Sequence, residues 1–269
     1  MRNAKSLSLV VLMAASSCGK ATQPKPQCKA QQEEYAARYF EVDGSRMGMC
    51  TDDDVLEGEP LFLQYYKTDP VSGTPKIAIE PASFADAIAV GEEHKVDVKA
   101  EPEYSIGTFK DVFPDDNDVC VAPKLEDSSL EVAEVPADPA NMVEGVPAVS
   151  LKYKWSNLKM LTKPLSNAIH FGADLERTSG ACTIKYKVSA IYPVIHCGNG
   201  TKPVLDDMGN PIPGMTEPDP ESGDPDPAAC EPSEVGAAHG SGLSPELTYE
   251  CNKATLMCLP TKAFPAYKK

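Results

Sequence analysis

Nine cysteines, four histidines and forty acidic side chains are the residues of this 269-residue chain best equipped for chemistry. Nine is an odd number. With Cys18 set aside, Cys28, Cys50, Cys120, Cys182, Cys197, Cys230, Cys251 and Cys258 are enough for four disulfides in an oxidising compartment. Sequence leaves their pairing open; proximity along the chain favours Cys28–Cys50 and Cys251–Cys258. His94, His170, His196 and His239 fall into no His-x-x-x-His spacing, and the cysteines form no Cys-x-x-Cys pair, so structural disulfides are expected in preference to zinc. His196 and Cys197 are neighbours, and neighbours on a strand face opposite ways.

The acidic runs Asp52-Asp53-Asp54, Asp115-Asp116-Asn117-Asp118 and Asp219 to Asp226 offer hard oxygen ligands, but none has the EF-hand register. Asp115, Asp116 and Asp118, beside Cys120, are the candidate calcium ligands, and a solvated turn is the simpler account of them. Gly198-Asn199-Gly200 begins like a dinucleotide fingerprint, but Pro203 stands where its third glycine belongs. A P-loop and a Gly-x-Ser-x-Gly elbow are both missing, and the histidine-serine run Ala238-His239-Gly240-Ser241-Gly242 reads as a loop. No catalytic residue and no cofactor is therefore expected.

One basic feature stands against a net charge of −15. In 149–155, Val149, Leu151, Tyr153 and Trp155 point one way while Lys152 and Lys154 point the other. In 182–190, Cys182, Ile184, Tyr186, Val188 and Ala190 oppose Thr183, Lys185, Lys187 and Ser189. If these two strands pair, Lys152, Lys154, Lys185 and Lys187 gather on one sheet face, able to touch an acidic polysaccharide or an envelope protein. A solubilising face that protects a strand edge competes with that reading. The acidic total excludes nucleic acid as a global partner, because binding it relies on basic surface.

The amino terminus reads as an address. Arg2 and Lys5 precede an apolar run from Leu7 to Ala15, and Ala15-Ser16-Ser17 lead into Cys18. That run is far shorter than the ~20 residues a spanning helix needs. Ala15-Ser16-Ser17-Cys18 resembles the lipobox of bacterial lipoproteins, with Ala15 where leucine is usual. The resemblance implies cleavage before Cys18, a multiply acylated Cys18 as the first mature residue, and a cell-envelope location. Gly19 in place of an inner-membrane-retaining aspartate implies the outer membrane. It covers residues 1–18 only and says nothing about the rest of the chain.

Three segments follow: a signal peptide at 1–17, a lipid-anchored tether at 18–30, and a single β-rich domain at 31–269. Residues 27–40 are rich in helix formers, with Tyr35, Tyr39 and Phe40 on one helical face, and predict a short amino-terminal helix. Strands are expected at 61–66, 76–80 and 95–99 besides the two above, while 82–90 fits helix or strand. The window 201–250 holds nine prolines and eleven acidic residues against one lysine, and predicts an acidic, proline-rich, solvated loop at about 201–229. Twenty-five prolines disfavour a helical bundle. Short alternating strands between turns predict a mainly β, disulfide-stapled antiparallel sandwich or small barrel. The function expected is that of a non-catalytic envelope lipoprotein acting through its surface, as an adhesion, scaffold or assembly component. The alternatives are an extracytoplasmic hydrolase with dispersed acid/base residues, or a secreted cysteine-rich protein without lipid.

Overall fold

Alternating apolar residues in long runs, each with one dry and one wetter face, dictate antiparallel sheet, and sheet dominates the chain. A computed structural model describes residues 27–67, 73–137, 145–162, 169–206, 208–232, 243–244 and 247–264; the signal segment, Cys18 and His239 lie outside them. The strands are β1 (Glu34–Glu41), β2 (Met47–Gly48), β3 (Gly58–Lys67), β4 (Pro75–Pro81), β5 (Val98–Ala100), β6 (Ser105–Thr108), β7 (Val119–Lys124) and β8 (Ser128–Val132). They continue as β9 (Val149–Leu161), β10 (Ile169–Ser179), β11 (Cys182–Tyr192), β12 (Gly200–Leu205), β13 (Pro211–Asp219), β14 (Tyr249–Cys251) and β15 (Cys258–Pro260). One α-helix, α1 (Ala82–Glu93), follows β4. No helix among the described residues is long and apolar enough to cross a membrane.

Eleven strands form one antiparallel sheet in the order β5-β8-β9-β10-β11-β1-β3-β4-β6, with β7 also on β9 and β2 on β11. The sheet curls into a half-barrel. Its β6 end reaches back to the β7–β8 connection through a Gly107–Leu125 bridge and a Glu126 N–H donated to the Ile106 carbonyl at 2.8 Å. The curl encloses an aromatic interior of Tyr35, Tyr39, Tyr153, Trp155, Phe171 and Tyr186, with Phe84 of α1 set edge-on to Tyr153 at 5.2 Å. Each such ring removes on the order of 150–250 Å² from water, which makes this interior the main stabilising body of the fold.

The mainly β, disulfide-stapled architecture agrees with expectation, and the helix is the correction. Residues 34–41 form β1 in the middle of the sheet, not a helix: they pair with β11 on one side and β3 on the other. Tyr35, Ala37 and Tyr39 enter the interior, while Ala36 lies in a second core on the opposite face. Burial on both faces overrides the local helix preference of Glu34, Ala36, Ala37 and Arg38. The ambiguous 82–90 segment is the helical one. Cys28 and Ala30, expected in the tether, are already packed in the barrel core.

The described residues of 194–264 lie on the outer face as a small module. Its hairpin β14–β15 brings Leu259 against Gly58, where a Cβ would meet that side chain at 2.8 Å and the Ala37 carbonyl at 2.3 Å. Arg38 of β1 pairs with Glu250 of β14. Phe264 packs over Gly172 of β10 so closely that a Cβ there would sit 2.2 Å from the Phe264 Cβ. Within the predicted loop at 201–229, β12 and β13 form a two-stranded ribbon that is almost wholly exposed. Prolines at 203, 211, 213 and 218 interrupt its backbone donors.

All eight cysteines among the described residues are bonded, but not by proximity in sequence. The pairs are Cys28–Cys120, Cys50–Cys182, Cys197–Cys251 and Cys230–Cys258. The expected Cys28–Cys50 and Cys251–Cys258 bonds are therefore both overturned. Cys251 and Cys258 do stand opposite each other in the β14–β15 register, yet each turns to a partner on another segment. Cα spacing permits a disulfide without requiring it, because the Cβ vectors must also converge.

Candidate functional site

The four predicted lysines do share the outer face, but their strands do not pair. Between β9 and β11 runs β10, antiparallel to both, in continuous register with β11 and with a register shift against β9 between Gly172 and Asp174. Its outward residues at the centre are Asp174 and Glu176, opposite Lys187 and Lys185 on β11, and Glu176 also faces Lys154 on β9. The result is a row of cations, a row of anions and another row of cations across three strands about 4.8 Å apart. Lys154 Nζ lies 2.7 Å from Glu176 Oε1, Lys185 Nζ 3.8 Å from Glu176 Oε2, and Lys187 Nζ 2.5 Å from Asp174 Oδ1. Lys152 leans away, to Asp127 at 3.3 Å.

The electrostatics follow from these contacts. Hydrogen bonding to Lys154 holds the Glu176 carboxyl below its ordinary range and raises Lys154 in turn. For Asp174, partial burial alone would raise the carboxyl, but hydrogen bonds from Lys187 and from Asn157 Nδ2 (2.7 Å) outweigh it and keep it low. Both groups are thus stably ionised at neutral pH. Each pair is half exposed, so each is worth at most about 1 kcal/mol to stability.

Over this face opens a depression of about 760 Å³ whose lining includes Lys124, Asp127, Lys154, Glu176, Lys185 and Lys187. A second depression of about 570 Å³ shares Asp174 and Lys187 with it and is walled by Phe264. A third of about 480 Å³ shares Lys124 and Asp127 and ends at Ile106 and Thr108. The first thus borders each of the other two through shared residues, and together they form a trough on the outer face.

The predicted acidic group behaves as a turn. Asp115 Oδ1 accepts the N–H groups of Asn117 and Val119, each at 2.9 Å, and Asp118 takes a positive φ of 61°. Where cysteine sulfurs crowd together, at Cys197, Cys230 and Cys251 within 4.8 Å, all three are engaged in disulfides.

Sequence reading missed two features. The first is β10 itself, whose alternation of Phe171, Ala173 and Leu175 with Gly172, Asp174 and Glu176 is present but muted by small residues. The second is a buried carboxylate, Glu59, with no local signal in a strand that reads as apolar. Its Oε1 accepts the phenols of Tyr39 (2.8 Å) and Tyr153 (2.9 Å), and its Oε2 accepts the Ser83 N–H (2.9 Å). Ser83 opens α1, whose residue before the first turn, Pro81, has no capping side chain, so Glu59 caps the helix from a neighbouring strand. Burial and the adjacent carboxylate push the Tyr39 phenol well up. Arg177 donates to the Tyr153 hydroxyl at 3.1 Å; its own burial opposes its charge, but Tyr153 and Glu59 beside it hold the guanidinium above its ordinary value. Glu59, Tyr39 and Tyr153 are buried, Ser83 and Arg177 partly so, and the network holds the helix to the sheet.

Comparison with known proteins starts from the span of the half-barrel. The sequence model of one protein family, MlpA, matches residues 33–193, which run from the start of β1 to the end of β11 and make up more than half of the chain. The chain belongs to the MlpA family. A protein of Myxococcus xanthus named "Putative lipoprotein MlpA" is 24% identical over 256 residues, covering 91% of this chain and 89% of its own length. No solved structure matches the chain. The family match ends where the outer module begins, and the Myxococcus relative extends across that module as well.

Proposed function

We propose that the chain is a lipid-anchored protein of the bacterial cell envelope, held by Cys18, which acts without catalysis by presenting the outer trough to an envelope partner. The observation that carries the anchor is cysteine parity: eight cysteines are joined in four disulfides, and the ninth is the Cys18 of the lipobox-like run. The name of the Myxococcus relative supports the same reading. The surface role is supported by the state of the carboxylates in the trough. A general acid needs a raised pKa, whereas Asp174 and Glu176 are held low by lysines. Glu59, the buried carboxylate, has its oxygens taken by three donors. The outer membrane, as implied by Gly19, is the proposed destination.

Intact mass of the native mature protein under non-reducing conditions, with thiol counting after denaturation, tests the anchor. The expected result is a chain beginning at Cys18, heavier by diacylglycerol and a further acyl group, with no free thiol. An unmodified chain with one free thiol overturns it. Density-gradient separation of the two membranes then tests the destination.

A further inference from the structure

We infer that the trough receives a linear acidic polysaccharide; this rests on the surface role proposed above and names its partner class. The shape comes first. Three depressions that share residues pairwise, through Lys124 and Asp127 and through Asp174 and Lys187, make one elongated channel from Thr108 to Phe264. It crosses from β6 over β7, β9 and β10 to β11, roughly four strand spacings or about 19 Å, and then turns along the strands toward Phe264, because the second depression lies on the same three strands at Lys159, Gly172 and Val188. A small molecule needs one enclosed cavity; an open channel of this length suits a polymer.

Charge comes second. The lining of the three depressions carries five lysines (124, 154, 159, 185 and 187) against four carboxylates (126, 127, 174 and 176), in a chain with 25 basic and 40 acidic residues. Lys154, Lys185 and Lys187 are paired within the sheet, whereas among the described residues Lys124 and Lys159 form no ion pair. These two stand apart, Lys124 on β7 opposite Ser156 and Lys159 three residues further along β9, where it acts on Asp174 without forming a close pair. They offer two separated cationic positions for a chain with repeated anionic groups.

The remaining lining fits hydroxyls. Carboxylates accept from sugar hydroxyls, and ammonium and amide groups donate to them, so the alternating rows of Lys154, Glu176 and Lys185 provide both senses within one strand spacing. A protein partner would look for aromatic or arginine anchors at the centre of its contact. None of the exposed large apolar residues, such as Met49, Phe113 or Met208, lines the channel, and neither does an arginine.

The test uses the full native protein in detergent micelles, titrated calorimetrically with polygalacturonate oligomers from dimer to decamer and with neutral cello-oligomers. Binding to the acidic series is expected to tighten with length until the channel is spanned and then level off. It should also weaken as salt is raised, because exposed charges are screened. The double variant Lys124→Ala/Lys159→Ala should weaken it about tenfold, which corresponds to ~1.4 kcal/mol. Lys99→Ala, on the distant β5 edge, should leave it unchanged. Equal binding of neutral oligomers, indifference to the double variant, or absence of polyuronate binding overturns the inference. So does recovery of an envelope protein cross-linked to Lys124 or Lys159 with no glycan bound. The same preparation reports the anchor by mass, so a chain that binds polyuronate without lipid refutes only the anchor, and a lipidated chain that does not bind refutes only the glycan.

Discussion

The half-barrel and the module on its outer face achieve order by different means. In the barrel, twenty-nine buried residues form one cluster dominated by aromatic and branched side chains. The module's cluster has nine, of which Ala36 and Ile191 belong to the barrel and Cys197, Cys230 and Cys258 are disulfide cysteines. Among the described residues, Leu243, Leu247, Met257 and Leu259 are its own buried apolar side chains, with Val194, Ile195, Ala229 and Tyr249 packed partly buried against them. So small a described core leaves much of the module's conformational entropy to be offset by its cross-links. The module depends on cross-links where the barrel depends on packing. That difference explains why the two module disulfides close loops of 28 and 54 residues inside one segment, while those of the barrel join points 92 and 132 residues apart.

The largest expected effect comes from removing the module's cross-links. Loop closure puts Cys230–Cys258 and Cys197–Cys251 at about 3.5 and 4 kcal/mol and the longer barrel loops at about 5 each, but the module has much the smaller core to fall back on. Replacing all four cysteines by serine should unfold residues 194–264 and leave the barrel native, as mapped by hydrogen exchange and limited proteolysis. Removing Cys28–Cys120 and Cys50–Cys182 should lower the melting temperature of the barrel while its fold persists, a contrast that vanishes if both regions unfold together.

The second effect lies at the contact between the two. His170 is buried on the outer face, its Nε2 2.7 Å from Ser189 Oγ and its ring against Phe264 at 4.8 Å; burial pushes it down to about 3. In the unfolded chain the same histidine titrates near about 6.5, so the unfolded state takes the proton first. The stabilisation is complete above about pH 6.5 and is lost as pH falls toward 3, by as much as about 4–5 kcal/mol at ~1.4 kcal/mol per unit. Urea unfolding at stepped pH should show that slope, and His170→Gln should flatten it.

Third, Glu59→Ala tests the barrel alone. It leaves the Tyr39 hydroxyl and the Ser83 N–H enclosed without their acceptor and should cost about 3 kcal/mol, read by chemical denaturation, with the module's exchange protection unchanged. Next, Gly172→Ala should displace Phe264 and cost about 1–3 kcal/mol through overpacking; a crystal structure or NMR shifts at Phe264 would show the shift. Smallest of all, Lys154→Ala should change stability by less than about 1 kcal/mol, so that any loss of function by this variant reports recognition.

How much of this was legible in the amino-acid order differs between the same two regions. β9 and β11 announce themselves, since Tyr153, Trp155, Ile184 and Tyr186 alternate cleanly with lysines and all four are buried as expected. β1 does not, because a central strand covered on both faces loses the wet face that alternation needs, and its alanines and glutamates then read as helix. Lys154, Lys185 and Lys187 of the trough were visible, but Lys124, Lys159 and the counter-charges were not, because which strands come together is a matter of long-range pairing. The disulfides were countable and unassignable for the same reason: Cys28 and Cys120 meet only after the sheet has curled.

The ribbon of β12 and β13 presents two open backbone edges to its surroundings, a geometry that ordinarily invites a neighbouring copy to zip on as a further strand. Proline has no N–H to offer such a visitor, and Pro203, Pro211, Pro213 and Pro218 place that silence along both strands. Copies crowded side by side can therefore brush against one another without nucleating a shared sheet, and the arm stays an individual, separable projection however densely the molecules are displayed.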